Sequence, residues 1–134
     1  MLFEKQEYKN RLSKVKLAMK KKGIDLLVSQ DPANMNYLTG YDAWSFYYAQ
    51  CVLVHINEDE PICFLRAQDM GGAYIKTYLQ DNNIIKYDEK YIHTWPLHPY
   101  QYLAEIIKKR KKEKKTKNKK RRRGRERRRV SEAN

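Results

Sequence analysis

The stretch SFYYAQCVLVHINEDEPICFLR, residues 45–66, decides the fold. Two apolar runs flank the turn NEDEP at 57–61, and this arrangement indicates a β-hairpin. In the first arm, from about Ser45 to Ile56, apolar side chains occupy both the even and the odd positions. A strand that is apolar on both faces lies inside a sheet that is covered on both sides. The hairpin is therefore expected to form the centre of a layered domain.

The residues before the hairpin predict a helix, a strand and a helical turn. Residues 4–22 place apolar side chains at steps of three and four on one helical face, and Gly23 stops that helix. The apolar segment IDLLVS, 24–29, predicts a short strand. Asp31 followed by Pro32 favours a helix start, and Gly40 ends the turn that follows.

The residues after the hairpin continue the alternation of helix and strand. Residues 69–80 are predicted to be helical with Asp69 as the N-cap, 83–87 predict a strand, and 98–109 predict a last helix. Alternating strands and helices are typical of an α/β domain. We therefore predict a mixed sheet with helices on both faces, followed by a basic C-terminal tail.

Charge divides the chain into two parts. The formal net charge is +13, but residues 108–134 hold seventeen Lys or Arg and three Glu, a net of +14. Residues 1–107 keep twelve basic and thirteen acidic side chains, a net of −1. We therefore predict a near-neutral folded domain over 3–107 and a low-complexity tail over 108–134, disordered or as a solvated helix.

Three interpretations of the tail remain open. Runs of Lys and Arg attract phosphate, which favours weak and non-specific nucleic-acid binding. The tail is also explained as a plain solvated segment. A purine-rich DNA tract, reached in frame or by a frame shift, encodes Lys, Arg, Glu and Gly without selection for binding, and we prefer this origin because the tail lacks aromatic residues. The candidate polyanion contacts are Lys119, Lys120, Arg121, Arg122 and Arg123.

Several classes of protein are disfavoured by the sequence. No secretory signal is predicted at the start, and the longest apolar runs are far shorter than the ~20 residues that cross a bilayer. Cys51 and Cys63 lack zinc-site spacing, so they are predicted to be buried thiols of a cytoplasmic protein. The three histidines are not spaced as metal ligands, and no hydrolase or phosphate-loop motif occurs. No cofactor is predicted for this chain.

The segment EYKNRLSKVKLAMKKKGIDLLVSQDPANMNYLTGY, 7–41, resembles the opening of the creatinase, prolidase and aminopeptidase P family. Its order is a helix, Gly-Ile-Asp, an apolar strand, Asp-Pro-x-Asn and Tyr-Leu-Thr-Gly, and the likeness extends over about 3–107. GYDAWSFYYAQCVLV, RAQDMGGA and LHPYQYLAEII resemble the ectoine hydrolase branch of that family. The resemblance implies a ribonuclease H-like, creatinase-type N-terminal fold.

The resemblance also implies that the catalytic residues lie in a different domain. In full-length members a second, pita-bread domain holds the catalytic residues and, in the peptidases, a pair of divalent metal ions that generate hydroxide. The likeness stops near Lys108, so we expect an N-terminal domain truncated or frame-shifted before that catalytic domain, and inactive alone. The implied parent activity is hydrolysis of a C–N bond in a small cyclic or dipeptide-like substrate. The implied partners are a second subunit in a homodimer, or a catalytic domain.

Six aromatic side chains crowd residues 34–50. The resemblance places this segment beside the active site, where aromatic walls exclude water and stack on cations. Phe46 matches a substrate-binding Phe of creatinase, whereas Tyr48 stands where creatinase has an Arg. Alternatively, Phe46 and Tyr47 simply pack in the core, and Asp42 satisfies loop backbone groups. The candidate substrate-facing or subunit-facing residues are Trp44, Phe46, Tyr48, Tyr41 and Asp42.

Overall fold

The predicted hairpin forms the two central strands of a four-stranded sheet. The computed structural model describes residues 2–42, 47–92 and 97–134. Within these residues the strands lie side by side in chain order: β1 (Leu26–Ser29), β2 (Cys51–His55), β3 (Ile62–Arg66) and β4 (Ile84–Tyr87). The first two pairings are antiparallel and the third is parallel, so the predicted mixed α/β class is confirmed.

Helices connect and flank these strands. The described α-helices are α1 (Lys5–Lys21), α2 (Pro32–Thr39), α3 (Met70–Lys76) and α4 (Pro99–Ala133). The chain divides into two compact units, Met1–Pro99 and Tyr100–Asn134. The whole sheet and helices α1 to α3 belong to the first unit, whereas α4 makes up nearly all of the second.

The core of the first unit lies between one face of the sheet and the apolar faces of its helices. Val52 and Val54 of β2 and Leu65 of β3 belong to one buried cluster with Tyr8 and Leu12 of α1. The stripe predicted on α1 is confirmed, because Tyr8, Leu12 and Met19 are buried and Val15 packs against the cluster. All four residues from Cys51 to Val54 are buried, as expected for a strand covered on both faces.

Two predicted signals at the ends of α2 are also confirmed. The Asp31 carboxylate accepts a hydrogen bond of 3.0 Å from the backbone N–H of Asn34, which is N-capping. Gly40 closes the helix in the left-handed region at φ 84°, and its N–H donates to the Asn36 carbonyl at 2.8 Å. The next residues, Tyr41 and Asp42, therefore leave α2 in a fixed direction.

The first hairpin strand is shorter than predicted. It begins at Cys51, opposite Phe64, and the described residues 47–50 before it form a bend rather than a strand. The Tyr87 hydroxyl donates a hydrogen bond of 2.6 Å to the Ala49 carbonyl. The backbone acceptor of Ala49 is therefore satisfied by a side chain. Among the described residues, the aromatic side chains of Tyr47 and Tyr48 therefore belong to a bend and not to the strand.

Helix α3 also ends earlier than the sequence suggests. It stops at Lys76, and Thr77 is extended with φ −103° and ψ 160°. The Thr77 hydroxyl donates to the Ala73 carbonyl at 2.7 Å, and the next residues, Tyr78 and Leu79, are buried in extended chain. Core burial of this pair overrides the helical propensity of the segment.

The last helix is much longer than the 98–109 that its apolar residues predict. Helix α4 begins at Pro99 and runs without a break to Ala133. The basic segment is therefore part of this helix, and every residue from Lys111 to Asn134 is exposed. No described helix combines the length and the apolar content that crossing a bilayer requires.

Candidate functional site

Three of the five predicted site residues can be placed in the structure. Trp44 and Phe46 lie outside the described residues. Tyr48 is half-buried in the bend before β2, and Tyr41 is buried directly after α2. Asp42 is exposed, and its backbone carbonyl accepts a hydrogen bond of 2.8 Å from Lys76 Nζ. The backbone of Asp42, rather than its carboxylate, therefore ties the loop to α3.

The structure joins Tyr48 to two residues at the end of β3. The guanidinium carbon of Arg66 lies 4.1 Å from the centroid of the Tyr48 ring, a close cation–π contact. Arg66 Nε donates a hydrogen bond of 2.8 Å to Asp69 Oδ2, and each of these two side chains is only 16% exposed. The Tyr47 ring lies 4.8 Å from that of Tyr48 and is largely exposed. We call Tyr48, Arg66 and Asp69 the arginine–tyrosine cluster.

The hairpin register explains why these residues meet. Cys51 pairs with Phe64, so extending the register by two residues places Arg66 opposite Ala49, beside Tyr48. The bond from Tyr87 to the Ala49 carbonyl holds the bend in place, and Tyr87 is itself the β4 partner of Arg66. The sequence pattern did not predict that Tyr48 and Arg66 are neighbours, because the bend before β2 hides the register.

Tyr41 belongs to the core and lies within electrostatic range of Arg66 and Asp69. It is 2% exposed and belongs to the main buried cluster, and its hydroxyl has no hydrogen-bond partner among the described residues. Burial raises the pKa of Tyr41 well above its ordinary value, and the negative charge of Asp69 adds to the rise, whereas Arg66 lowers it. The Tyr41 hydroxyl therefore stays protonated and within electrostatic range of the Arg66–Asp69 pair.

The arginine–tyrosine cluster is suited to binding, not to proton transfer. The hydrogen bond to Asp69 raises the pKa of Arg66, so the guanidinium keeps its charge at every accessible pH. A fixed guanidinium recognises carboxylates, and neighbouring ring faces attract cations. The cluster therefore combines the side-chain types that recognise carboxylates and cations.

Other predicted roles are corrected or confirmed by the structure. Asp69 lies at the N-cap position of α3 but makes no capping hydrogen bond, so the predicted side-chain cap is wrong. Tyr47 is 69% exposed, which rules out the predicted core packing. Cys51 and Cys63 are free and buried, as predicted. His98 is exposed, and His55 Nδ1 accepts a hydrogen bond from the Asn57 N–H at 3.1 Å.

The described residues do not assemble a metal site. Across 2–42, 47–92 and 97–134, no three His, Cys, Asp or Glu side chains lie close enough to hold a metal ion. A mostly apolar groove of about 410 Å³ lies elsewhere, between α2 and the edge strand β1, and its lining includes Leu27, Val28 and Tyr37. The groove is separate from the arginine–tyrosine cluster.

The candidate polyanion contacts lie in the middle of α4. All five of these residues are exposed and helical: Lys119, Lys120, Arg121, Arg122 and Arg123. Consecutive residues in a helix point to different sides, so the five cations surround the helix axis.

Sequence comparisons relate the chain to hydrolases. Residues 11–131 match the model of the creatinase/prolidase N-terminal domain. An ectoine hydrolase of Halomonas elongata is 45% identical over 105 residues, which cover 78% of this chain and 26% of that enzyme. An uncharacterised hydrolase/peptidase of Sinorhizobium fredii is 42% identical over 105 residues, covering 78% of this chain and 27% of that protein. The chain thus spans about a quarter of the length of these relatives.

A solved structure supports the same fold. The creatinase/prolidase N-terminal domain of an X-Pro dipeptidase from Streptococcus pyogenes superposes with a TM-score of 0.60 at 19% identity, covering 73% of this chain and 67% of that one. The family match covers far more than half of the chain and agrees with the mixed sheet described above. This chain belongs to the creatinase/prolidase N-terminal domain family.

Proposed function

We propose that this chain is the non-catalytic N-terminal domain of a creatinase-type hydrolase of the ectoine hydrolase branch, where it caps the substrate site and takes part in dimerisation. The observation that carries the proposal is the arginine–tyrosine cluster, a half-buried guanidinium stacked on a tyrosine in the loop that the family resemblance places beside the active site. The parent reaction is hydrolysis of a C–N bond in a small cyclic or dipeptide-like substrate. We place it in the cytoplasm, where the two free thiols stay reduced.

The chemistry of the cluster fits a small cyclic zwitterion such as ectoine. Arg66 would bind the carboxylate, and the Tyr48 ring would face the delocalised cation. Creatinase has an arginine at the position of Tyr48, so this chain would supply its guanidinium from β3 instead. In the peptidases of the family a metal pair generates the hydroxide, and any divalent metal of the parent enzyme would be held by its catalytic domain.

Exposed apolar side chains support pairing with another domain or subunit. Tyr74 and Ile75 of α3 are 45% and 80% exposed, although Ala73, which directly precedes them, is fully buried. Neighbouring exposed apolar side chains are typical of surfaces that a partner covers. A free-standing module that pairs with full-length hydrolase subunits would use the same surface, and co-purification with ectoine hydrolase subunits tests that variant of the proposal.

A chimeric enzyme tests the proposed function. The aligned 105-residue segment of the Halomonas elongata ectoine hydrolase would be replaced by the corresponding residues of this chain. We expect the chimera to hydrolyse ectoine and the 134-residue chain alone to show no turnover, as measured by product formation. Turnover by the chain alone would overturn the non-catalytic role. A folded chimera that is inactive on ectoine would overturn the assignment to this branch.

Arg66→Met in the chimera tests the role of the cluster, with Arg11→Met as a matched control. Arg11 is also half-buried and hydrogen-bonded to a carboxylate, Glu7 at 3.0 Å, and it stacks on the rings of Phe3 and Tyr37. Loss of a charge-assisted hydrogen bond predicts a rise in KM of roughly 10- to 100-fold for Arg66→Met. Equal kinetic effects of the two substitutions would mean that Arg66 only anchors the loop.

A further inference from the structure

The basic segment of the chain lies in one continuous helix. Helix α4 spans Pro99–Ala133, and every side chain from Lys111 onward is exposed. Seventeen of the side chains in 108–134 are Lys or Arg and three are Glu. The helix therefore presents a dense column of positive charge to solvent.

The charge surrounds the helix instead of forming a stripe. Successive residues turn by about 100°, and the cations of 108–129 occupy all sides, with two runs of five, at 108–112 and 119–123. No apolar residue occurs from Lys108 to Arg129. A helix without an apolar face can neither insert into a membrane interface nor fill an apolar protein groove. A partner of this segment must be recognised through charge.

Like-charged side chains of the basic segment repel one another when the segment is helical. Basic residues recur four positions apart nine times within 108–129, for example at Lys115/Lys119, Lys119/Arg123 and Arg123/Arg127. Such like-charge pairs destabilise an isolated helix. Glu113 and Glu126 offer few compensating pairs. A polyanion that neutralises the cations would therefore favour the helical form over the unfolded form.

The dimensions of the helix match one ligand in particular. Residues 108–129 span about 33 Å at 1.5 Å per residue, which exceeds the ~12 Å width of the major groove of duplex DNA. A helix about 10–12 Å wide fits the ~12 Å major groove, where cations on opposite sides of the helix face both phosphate rows. Residues 108–134 contain no aromatic side chain to stack on the bases of a single strand.

We propose that α4 binds double-stranded DNA without sequence specificity and that phosphate neutralisation stabilises its helical form. Affinity would come from counterion release, because the side chains from Lys111 onward are exposed and are not held against the protein in a fixed position for reading bases. This property is independent of the role proposed for the first unit. It holds whether the basic segment was selected for binding or was encoded by a purine-rich DNA tract, because the attraction depends on charge alone.

The test uses the whole 134-residue chain and a fluorescent duplex of about two helical turns. Fluorescence anisotropy between about 50 and 200 mM KCl should show the affinity falling by about 10³-fold or more, as expected when six or more phosphates are contacted. Circular dichroism in the far ultraviolet should show helix content rising when the duplex is added. No change in helix content on saturation would overturn the coupling between binding and helix formation.

Two charge-matched variants separate a local effect from one of net charge. The first replaces five residues of α4 by Gln: Lys119, Lys120, Arg121, Arg122 and Arg123. The second replaces five exposed lysines of α1 by Gln: Lys5, Lys9, Lys14, Lys20 and Lys21. Gln has nearly the helix propensity of Lys and Arg. We expect at least a tenfold loss of affinity for the first variant and less than a threefold loss for the second.

Three results would overturn the proposal. Equal losses of DNA affinity in the two variants would show that binding depends on net charge and not on α4. Tighter binding to a single strand of the same length would point to base contacts instead of a groove. Tighter binding to vesicles of phosphatidylserine and phosphatidylcholine, compared at equal phosphate concentration, would identify an anionic surface as the ligand.

Discussion

Gly40→Ala is expected to destabilise the first unit by about 2–5 kcal/mol, the sum of a backbone and a packing cost. Gly40 closes α2 at φ +84°, where a Cβ costs roughly 1–2 kcal/mol. The added carbon would also lie 2.7 Å from the backbone carbonyl oxygen of Lys76 and 3.0 Å from the Tyr8 hydroxyl. Relieving such a clash in packed structure costs typically about 1–3 kcal/mol more. The carbonyl of Lys76 ends α3 and cannot rotate away like a flexible side chain.

Gly23→Ala is the matched control for this substitution. Gly23 also has a positive φ, +67°, but a Cβ added there would meet no atom of a non-neighbouring residue within 4 Å. Only the backbone strain of roughly 1–2 kcal/mol therefore applies. Urea unfolding of the full chain, followed by circular dichroism, measures both substitutions. Equal losses of unfolding free energy would show that close packing at Gly40 contributes nothing.

Gly40 also matters for the candidate site. It directly precedes Tyr41, which enters the core, and Asp42, whose carbonyl binds Lys76 Nζ. Because both contacts start from the turn at Gly40, we expect the same substitution to displace Tyr41 and Asp42. In the chimeric ectoine hydrolase the loss of stability should therefore be accompanied by a higher KM.

The sequence was sufficient to predict features that depend on local chemistry. The hairpin, the stripe on α1, the Asp31 cap and the Gly40 stop all rest on residues within a few positions of one another, and all are present. Periodicity, capping and positive φ act within one or two turns of chain. Such features need no knowledge of the tertiary structure.

The features that the sequence did not predict depend on contacts between distant segments. Tyr87 lies 38 positions from Ala49, whose carbonyl it binds, and this bond accompanies the late start of β2. The contact between Arg66 and Tyr48 follows only from that shortened strand and its register. The burial of Tyr41 is a further example, because an aromatic residue directly after a glycine gives no local sign of burial. Its 2% exposure is decided by packing.

Alkaline pH is expected to lower the stability of the chain by about 3 kcal/mol between about pH 8 and pH 10. Burial raises the pKa of Cys51 and of Cys63 from 9.0 to about 12, and the charge of Cys51 adds to the rise for Cys63. In the unfolded chain both thiols ionise near pH ~8.5–9. The unfolded state then releases protons that the folded state keeps, so each thiol removes up to about 1.4 kcal/mol per pH unit.

The sign and the window of this effect follow from the two pKa values. The stabilisation is complete below about pH 8, falls as the pH rises through the unfolded value, and is lost near pH ~12, where the folded thiols also ionise. Tyr41 and Tyr78, whose pKa values are raised chiefly by burial, extend the loss above about pH 10. Below about pH 10 the two buried thiols therefore account for most of the loss.

The double variant Cys51→Ala/Cys63→Ala separates the thiols from other groups. It should be less stable than the parent at neutral pH, because each substitution leaves a small cavity between buried neighbours. Its unfolding free energy should nevertheless change little between about pH 8 and pH 10, whereas that of the parent falls. Urea unfolding at several pH values, with a phosphine reductant present, gives the change of unfolding free energy with pH for the parent and for the variant. Parallel slopes would mean that the two thiols are already open to water, which contradicts their place on the central strands β2 and β3.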